Sequence, residues 1–144
     1  MALPLGTISG PGEDSYASTG PHLDIRVVPG FGKDQGRFID PAKFARTQLQ
    51  KVLVDGKPLV SQQDGDFTFN FPITSNFGPR TAPTAGASTM HRGTDFAIPA
   101  GAHISFAGGG VAQKGGSNKT MLNFEDEEGR PYSMRFLHVN PTRS

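Results

Sequence analysis

Within His22-Leu23-Asp24-Ile25-Arg26-Val27-Val28, apolar Leu23, Ile25 and Val27 alternate with polar His22, Asp24 and Arg26. A period of two is the signature of a β-strand with one buried face. The stretch constrains the fold twice over. The Leu/Ile/Val face needs a second layer to cover it. The opposite face carries an imidazole, a carboxylate and a guanidinium side by side, because residues two apart on a strand share a face. Pro29-Gly30 ends the strand.

Punctuation of this kind runs through the chain. Its 144 residues include 19 glycines and 12 prolines, which favours many short strands and tight turns over long helices. Phe67, Phe69 and Phe71 alternate with polar residues, and short strands are expected at 73–80, 94–98 and 103–106. A hairpin is expected from 111–113 and 120–124, turning at 114–119, and a last strand over 132–139. Gly108-Gly109-Gly110 reads as a bend or bulge. Residues 6–21, 30–37 and 81–90 read as loops. One helix is expected in the segment 38–54: Asp40 is a natural N-cap, Pro41 suits a first helical position, and Ala42, Ala45, Leu49, Val52 and Leu53 recur at three to four residues. Asp55-Gly56 would stop it. The length suits a single domain, residues 1–144.

The formal net charge of +1, with basic residues scattered, argues against a nucleic-acid partner. No apolar run approaches the roughly 20 residues that cross a bilayer, so no membrane insertion is expected. The N-terminal residues lack the basic and long apolar regions of a signal peptide. There are no cysteines, so a zinc site would have to use histidine and carboxylate. His91-Arg92-Gly93-Thr94-Asp95 offers that pair, four residues apart with a glycine between. His103 is expected to be structural, and the acidic run Glu125-Asp126-Glu127-Glu128 a solvated turn whose spacing matches no calcium loop.

Three segments carry a family resemblance: Ile73-Thr74-Ser75-Asn76-Phe77-Gly78-Pro79-Arg80, then His91-Arg92-Gly93-Thr94-Asp95-Phe96-Ala97-Ile98-Pro99-Ala100-Gly101, then Ala107 to Val111. In order and spacing they resemble the first half of the lysostaphin/LytM-type zinc endopeptidases, which cut peptide cross-links in bacterial peptidoglycan. Met134-Arg135-Phe136-Leu137-His138-Val139 resembles the family's next landmark, a strand ending in an active-site histidine. The family's last segment resembles Ser18-Thr19-Gly20-Pro21-His22-Leu23-Asp24-Ile25-Arg26, which here lies near the start of the chain. The resemblance therefore implies a circularly permuted domain. Residues 1–29 hold the displaced last strand, 30–71 form a helix-containing linker, and 72–144 form the main part.

The implied fold is mostly β, a compact antiparallel sandwich of the lysostaphin-like (duplicated hybrid motif) type. By matching position, His91 and Asp95 would ligate one zinc ion, with Asp24 as third ligand where the family has histidine. His22 and His138 match the family's two catalytic histidines. Asp24 is open to a second reading, a strand carboxylate facing Arg26. Two functions follow. The first is a zinc-dependent endopeptidase acting on peptidoglycan peptides, carried in a phage tail or baseplate. The second is a structural or wall-binding component of such a virion that keeps the fold without turnover.

Overall fold

The computed structural model describes residues 2–10, 21–30, 38–45, 47–79, 90–114 and 119–141. Residues 11–20 and 31–37 of the loops expected at 6–21 and 30–37, Arg80, residues 81–89 of the loop expected at 81–90 and residues 115–118 of the turn expected at 114–119 lie outside the described residues, and with them Ser18-Thr19-Gly20. In chain order the strands are β1 (Leu3–Ile8), β2 (His22–Pro29), β3 (Val52–Val54), β4 (Lys57–Pro58), β5 (Val60–Gln63), β6 (Asp66–Phe69), β7 (Ile73–Ser75), β8 (Gly78–Pro79), β9 (Met90–His91), β10 (Thr94–Ala97), β11 (His103–Phe106), β12 (Val111–Lys114), β13 (Lys119–Glu125), β14 (Pro131–Leu137) and β15 (Val139–Pro141).

Two antiparallel sheets enclose the core. The larger has the order β12-β13-β14-β2-β10-β7, the smaller β15-β1-β11-β3-β4. The larger sheet contributes Leu23, Ile25, Val27, Phe96, Leu122, Phe124, Met134 and Phe136 to the apolar cluster, and the smaller contributes Leu5, Ile8, Val54, Ile104, Phe106 and Val139. This is the mostly β, sandwich-like architecture expected from the sequence. Among the described residues, no helix is long and apolar enough to cross a membrane.

β2 lies between β10 and β14, antiparallel to both. Its Leu23, Ile25 and Val27 are fully buried. The alternation seen in the sequence thus places His22, Asp24 and Arg26 together on the opposite face of the larger sheet. After Leu137 the chain leaves that sheet, and Val139 begins β15 in the smaller one. The corner is His138, which adopts a left-handed backbone with φ of 63°. Such a backbone is uncommon for a non-glycine residue and often accompanies a functional constraint.

Two expectations are corrected. The segment 38–54 does not form one helix. Asp40 does cap a first turn, its Oδ1 accepting from the Ala42 N–H at 3.0 Å, but the turn is a short 3-10 helix, Pro41–Phe44. A second one spans Gln48–Lys51, and Val52–Val54 is strand. Thr47, with φ −126° and ψ −86°, breaks the helical path between them. The two β-branched valines at 52 and 54 are buried in period two, as a strand face requires. Asp55-Gly56 is therefore the two-residue turn of the β3–β4 hairpin, with both residues at positive φ. The second correction concerns β1. Residues 6–8, expected to be loop, are strand paired with β11 and β15. Gly6 lies so close to the Asn140 carbonyl that no side chain fits there.

Candidate metal site

Asp24 of β2 and Asp95 of β10 are directly opposite each other in the strand register. Asp24 is 3% exposed and the Asp95 side chain 15%. Like charges facing one another across a strand pair destabilise a sheet, and burial adds a desolvation cost. Something positive has to lie nearby, and two cationic side chains do.

The first is His91, held over the pair by the short β8–β9 ladder, in which Gly78 pairs with His91. His91 is 5% exposed. Its Nδ1 lies 3.0 Å from the Asn76 carbonyl oxygen and 3.1 Å from Ser75 Oγ. A carbonyl only accepts, so Nδ1 carries the proton and donates it there. Nε2 then points at the carboxylates, 3.5 Å from Asp24 Oδ2 and 3.4 Å from Asp95 Oδ1. The hydrogen bond to Asp24, ahead of the opposing effect of burial, raises the His91 pKa above its usual value.

The second is Arg26, two residues along β2 on the face of Asp24. Its guanidinium donates twice to one carboxylate, Nε to Oδ1 at 3.2 Å and Nη2 to Oδ2 at 3.0 Å. Burial by itself would raise the Asp24 pKa; the hydrogen bonds from His91 and Arg26 outweigh it and lower the pKa to about 2. Asp95 goes the other way. Burial and then the Asp24 charge raise its pKa. Its Oδ1 is buried and accepts no hydrogen bond among the described residues.

Glycine at 93 makes this packing possible. A Cβ there would fall less than 3.0 Å from Asp24 Oδ1, the Ile25 carbonyl oxygen and Arg26 Cγ. The spacing of His91 and Asp95 thus works only around a residue with no side chain.

Asp24, His91 and Asp95 each offer a ligand atom, and these atoms lie within 4.8 Å of one another. The donor set fits a divalent cation on three counts. In the neutral ring that a metal ligand requires, the proton stays on Nδ1 and the Nε2 lone pair faces the carboxylates in place of the Nε2–H that the metal-free imidazolium donates to Asp24. The Nδ1 proton is held by a backbone carbonyl, the outer contact that metal-bound histidines characteristically make. The Asp95 Oδ1 lone pairs are otherwise unused.

His22 and His138 meet beside this cluster. Their rings are 4.5 Å apart between centroids and 63° inclined. His22 shares the face of Asp24 on β2, and its charge is felt at Asp95, whose pKa it lowers slightly. His138 follows Leu137, which pairs with Asp24 across the β14–β2 ladder. All five residues singled out from the sequence therefore come together. His103 lies elsewhere, at the outer end of β11, where its backbone N–H donates to Asp55 Oδ1. Sequence reasoning gave no role to Ser75 and Asn76, which fix the imidazole. It took Arg26 and metal binding as alternative fates for Asp24, whereas the structure sets Arg26 and His91 around the same carboxylate.

The chain is similar to the peptidoglycan DD-endopeptidase ShyC of Vibrio cholerae serotype O1, with 36% identity over 69 residues. That stretch covers 46% of this chain and 16% of the relative, so the chain spans only a small part of that protein's length. No family model matches the chain, and no solved structure matches it.

Proposed function

We propose that the protein is a zinc-dependent peptidoglycan endopeptidase whose metal is held by His91, Asp95 and Asp24. The observation that carries this is the convergence of two directly opposed carboxylates, one buried and one partly buried, and an imidazole held through Nδ1, with their ligand atoms within 4.8 Å of one another. The similarity to a named peptidoglycan endopeptidase supports the choice of substrate. Zinc at that point would supply Lewis-acid polarisation of a scissile carbonyl and of the attacking water. The chain's own residues do the rest. Asn76 and Ser75 hold the His91 ring. His22 and His138, in contact with each other, take the proton from the water and return one to the departing amine, the task for which imidazole is suited near neutral pH.

In this reading β2 replaces the last strand of the lysostaphin/LytM-type domain in a circularly permuted chain. Its position between β10 and β14, which brings His22 and Asp24 to His91 and His138, supports that reading. The single-domain organisation and delivery to the wall in a phage tail or baseplate belong to the same proposal.

One observation favours the second reading, a wall-binding or structural module without turnover. Both oxygens of Asp24 are engaged by Arg26. The test is release of free amino groups from purified peptidoglycan, with and without zinc, and after chelation. Zinc-dependent release supports the peptidase. Stoichiometric zinc without release supports the module, and neither zinc binding nor release refutes the metal site.

A further inference from the structure

The third ligand position holds a carboxylate, and the strand supplies a guanidinium two residues further on. With neutral histidine, a His/His/Asp set carries one negative charge. A His/Asp/Asp set carries two, which would lower the Lewis acidity of the bound ion. Arg26 removes the difference. Its two hydrogen bonds to Asp24 run at 3.2 and 3.0 Å in the fork geometry that makes arginine–carboxylate pairs strong and oriented. Asp24, His91, Asp95 and Arg26 together carry one negative charge when His91 is neutral.

The pair is built into the fold. Arg26 stands opposite Arg135 in the β14–β2 register, so its own cross-strand neighbour repels it while Asp24 attracts it. The missing side chain at Gly93 leaves space for the Asp24 carboxylate and the Arg26 stem together. Oδ2 faces both Arg26 and His91 Nε2. Since a carboxylate oxygen has two lone pairs, the guanidinium and a metal ion can share the one group.

We infer that Arg26 is a charge-compensating residue, and that the Asp24–Arg26 pair takes the place of a neutral imidazole ligand. This rests on the metal reading of the site. Arg26 acts through the Asp24 carboxylate, to which it donates from Nε and Nη2. Its action is by charge, keeping the site at the charge of a two-histidine set.

Zinc affinity, measured by competition with a chromophoric chelator, tests this in five proteins: the wild type, Arg26→Lys, Arg26→Gln, Asp24→His, and Asp24→His with Arg26→Gln. One charge about 6 Å from a divalent ion changes affinity by about tenfold even at the dielectric constant of water. Arg26→Gln is therefore expected to bind zinc about tenfold more tightly, and Arg26→Lys, which keeps the charge, close to wild type. Asp24→His by itself leaves Arg26 uncompensated, and the double variant is expected to bind about tenfold more tightly than it. The metal-free melting temperature gives a second readout. Arg26→Gln should lower it when Asp24 is present, where it strands a buried carboxylate, and leave it unchanged or raised when combined with Asp24→His.

A purely structural arginine would weaken zinc binding on removal in both backgrounds, and that result overturns the inference. So does equal affinity of Asp24→His and the double variant. Folded wild type and double variant that both fail to bind zinc would instead refute the metal site itself, a distinguishable outcome.

Discussion

Replacing Asp95 with asparagine should make the metal-free protein more stable while abolishing metal binding. The reasoning starts from Asp95 Oδ1, buried and without a hydrogen bond among the described residues, opposite the ionised Asp24. An unpartnered buried polar group costs about 1–3 kcal/mol, and more when charged. Asparagine removes the charge, and its amide NH2 can donate to the facing Asp24 carboxylate. A gain of about 1–2 kcal/mol is expected, which for a chain of this size raises the melting temperature by about 3–7 °C.

The pH dependence has a definite sign. The Asp95 pKa in the folded state lies above its reference value of 3.8, through burial and the Asp24 charge. Such a group favours folding most below the reference value, and the contribution is lost as pH rises through the folded-state pKa. The advantage of Asp95→Asn should therefore vanish below pH 3.8 and be complete near neutrality. Thermal unfolding in chelator, wild type against variant across that range, measures it. A variant no more stable than wild type at neutral pH, or one whose gain is the same in acid, would refute the claim that the Asp95 charge is a liability without a bound metal ion.

Three further predictions concern neighbouring residues. His138→Gly should keep or slightly raise thermal stability, by up to about 1 kcal/mol, because glycine accepts the left-handed corner without strain; the same change should lower peptide release by about a hundredfold or more. Gly93→Ala should cost about 1–3 kcal/mol in urea unfolding, since its Cβ meets the Asp24 carboxylate and a backbone carbonyl, and it should weaken zinc binding as well. His91→Ala should abolish stoichiometric zinc binding in a chelator-competition titration, because it removes the only nitrogen ligand of the set.

The features legible in the sequence were those written in local pattern. The alternation at 22–28 fixed both faces of β2, and with them the grouping of His22, Asp24 and Arg26. The His91/Asp95 spacing around Gly93 identified the other half of the site. Strand register was not legible. Nothing local says that Asp24 lies opposite Asp95, or that Leu137 brings His138 to β2, because pairing partners are set by the whole sheet. The 38–54 segment misled because apolar spacings of three and four suit one amphipathic helix, yet two short 3-10 turns followed by a strand bury the same Leu49 and Val52. β1 was hidden by Pro4 and Gly6, residues that depress strand propensity. They are tolerated at a register shift, where Gly6 permits close approach to β15.

The central claim is that Asp24, His91 and Asp95 hold one metal ion. The most direct measurement is anomalous diffraction at the zinc absorption edge from crystals grown with zinc. A single peak about 2.0–2.2 Å from His91 Nε2 and from one oxygen each of Asp24 and Asp95, with Arg26 still bound to Asp24, is the predicted result. No peak there at full zinc loading, with the Asp24–Arg26 pair and the His91 contacts unchanged, would contradict it.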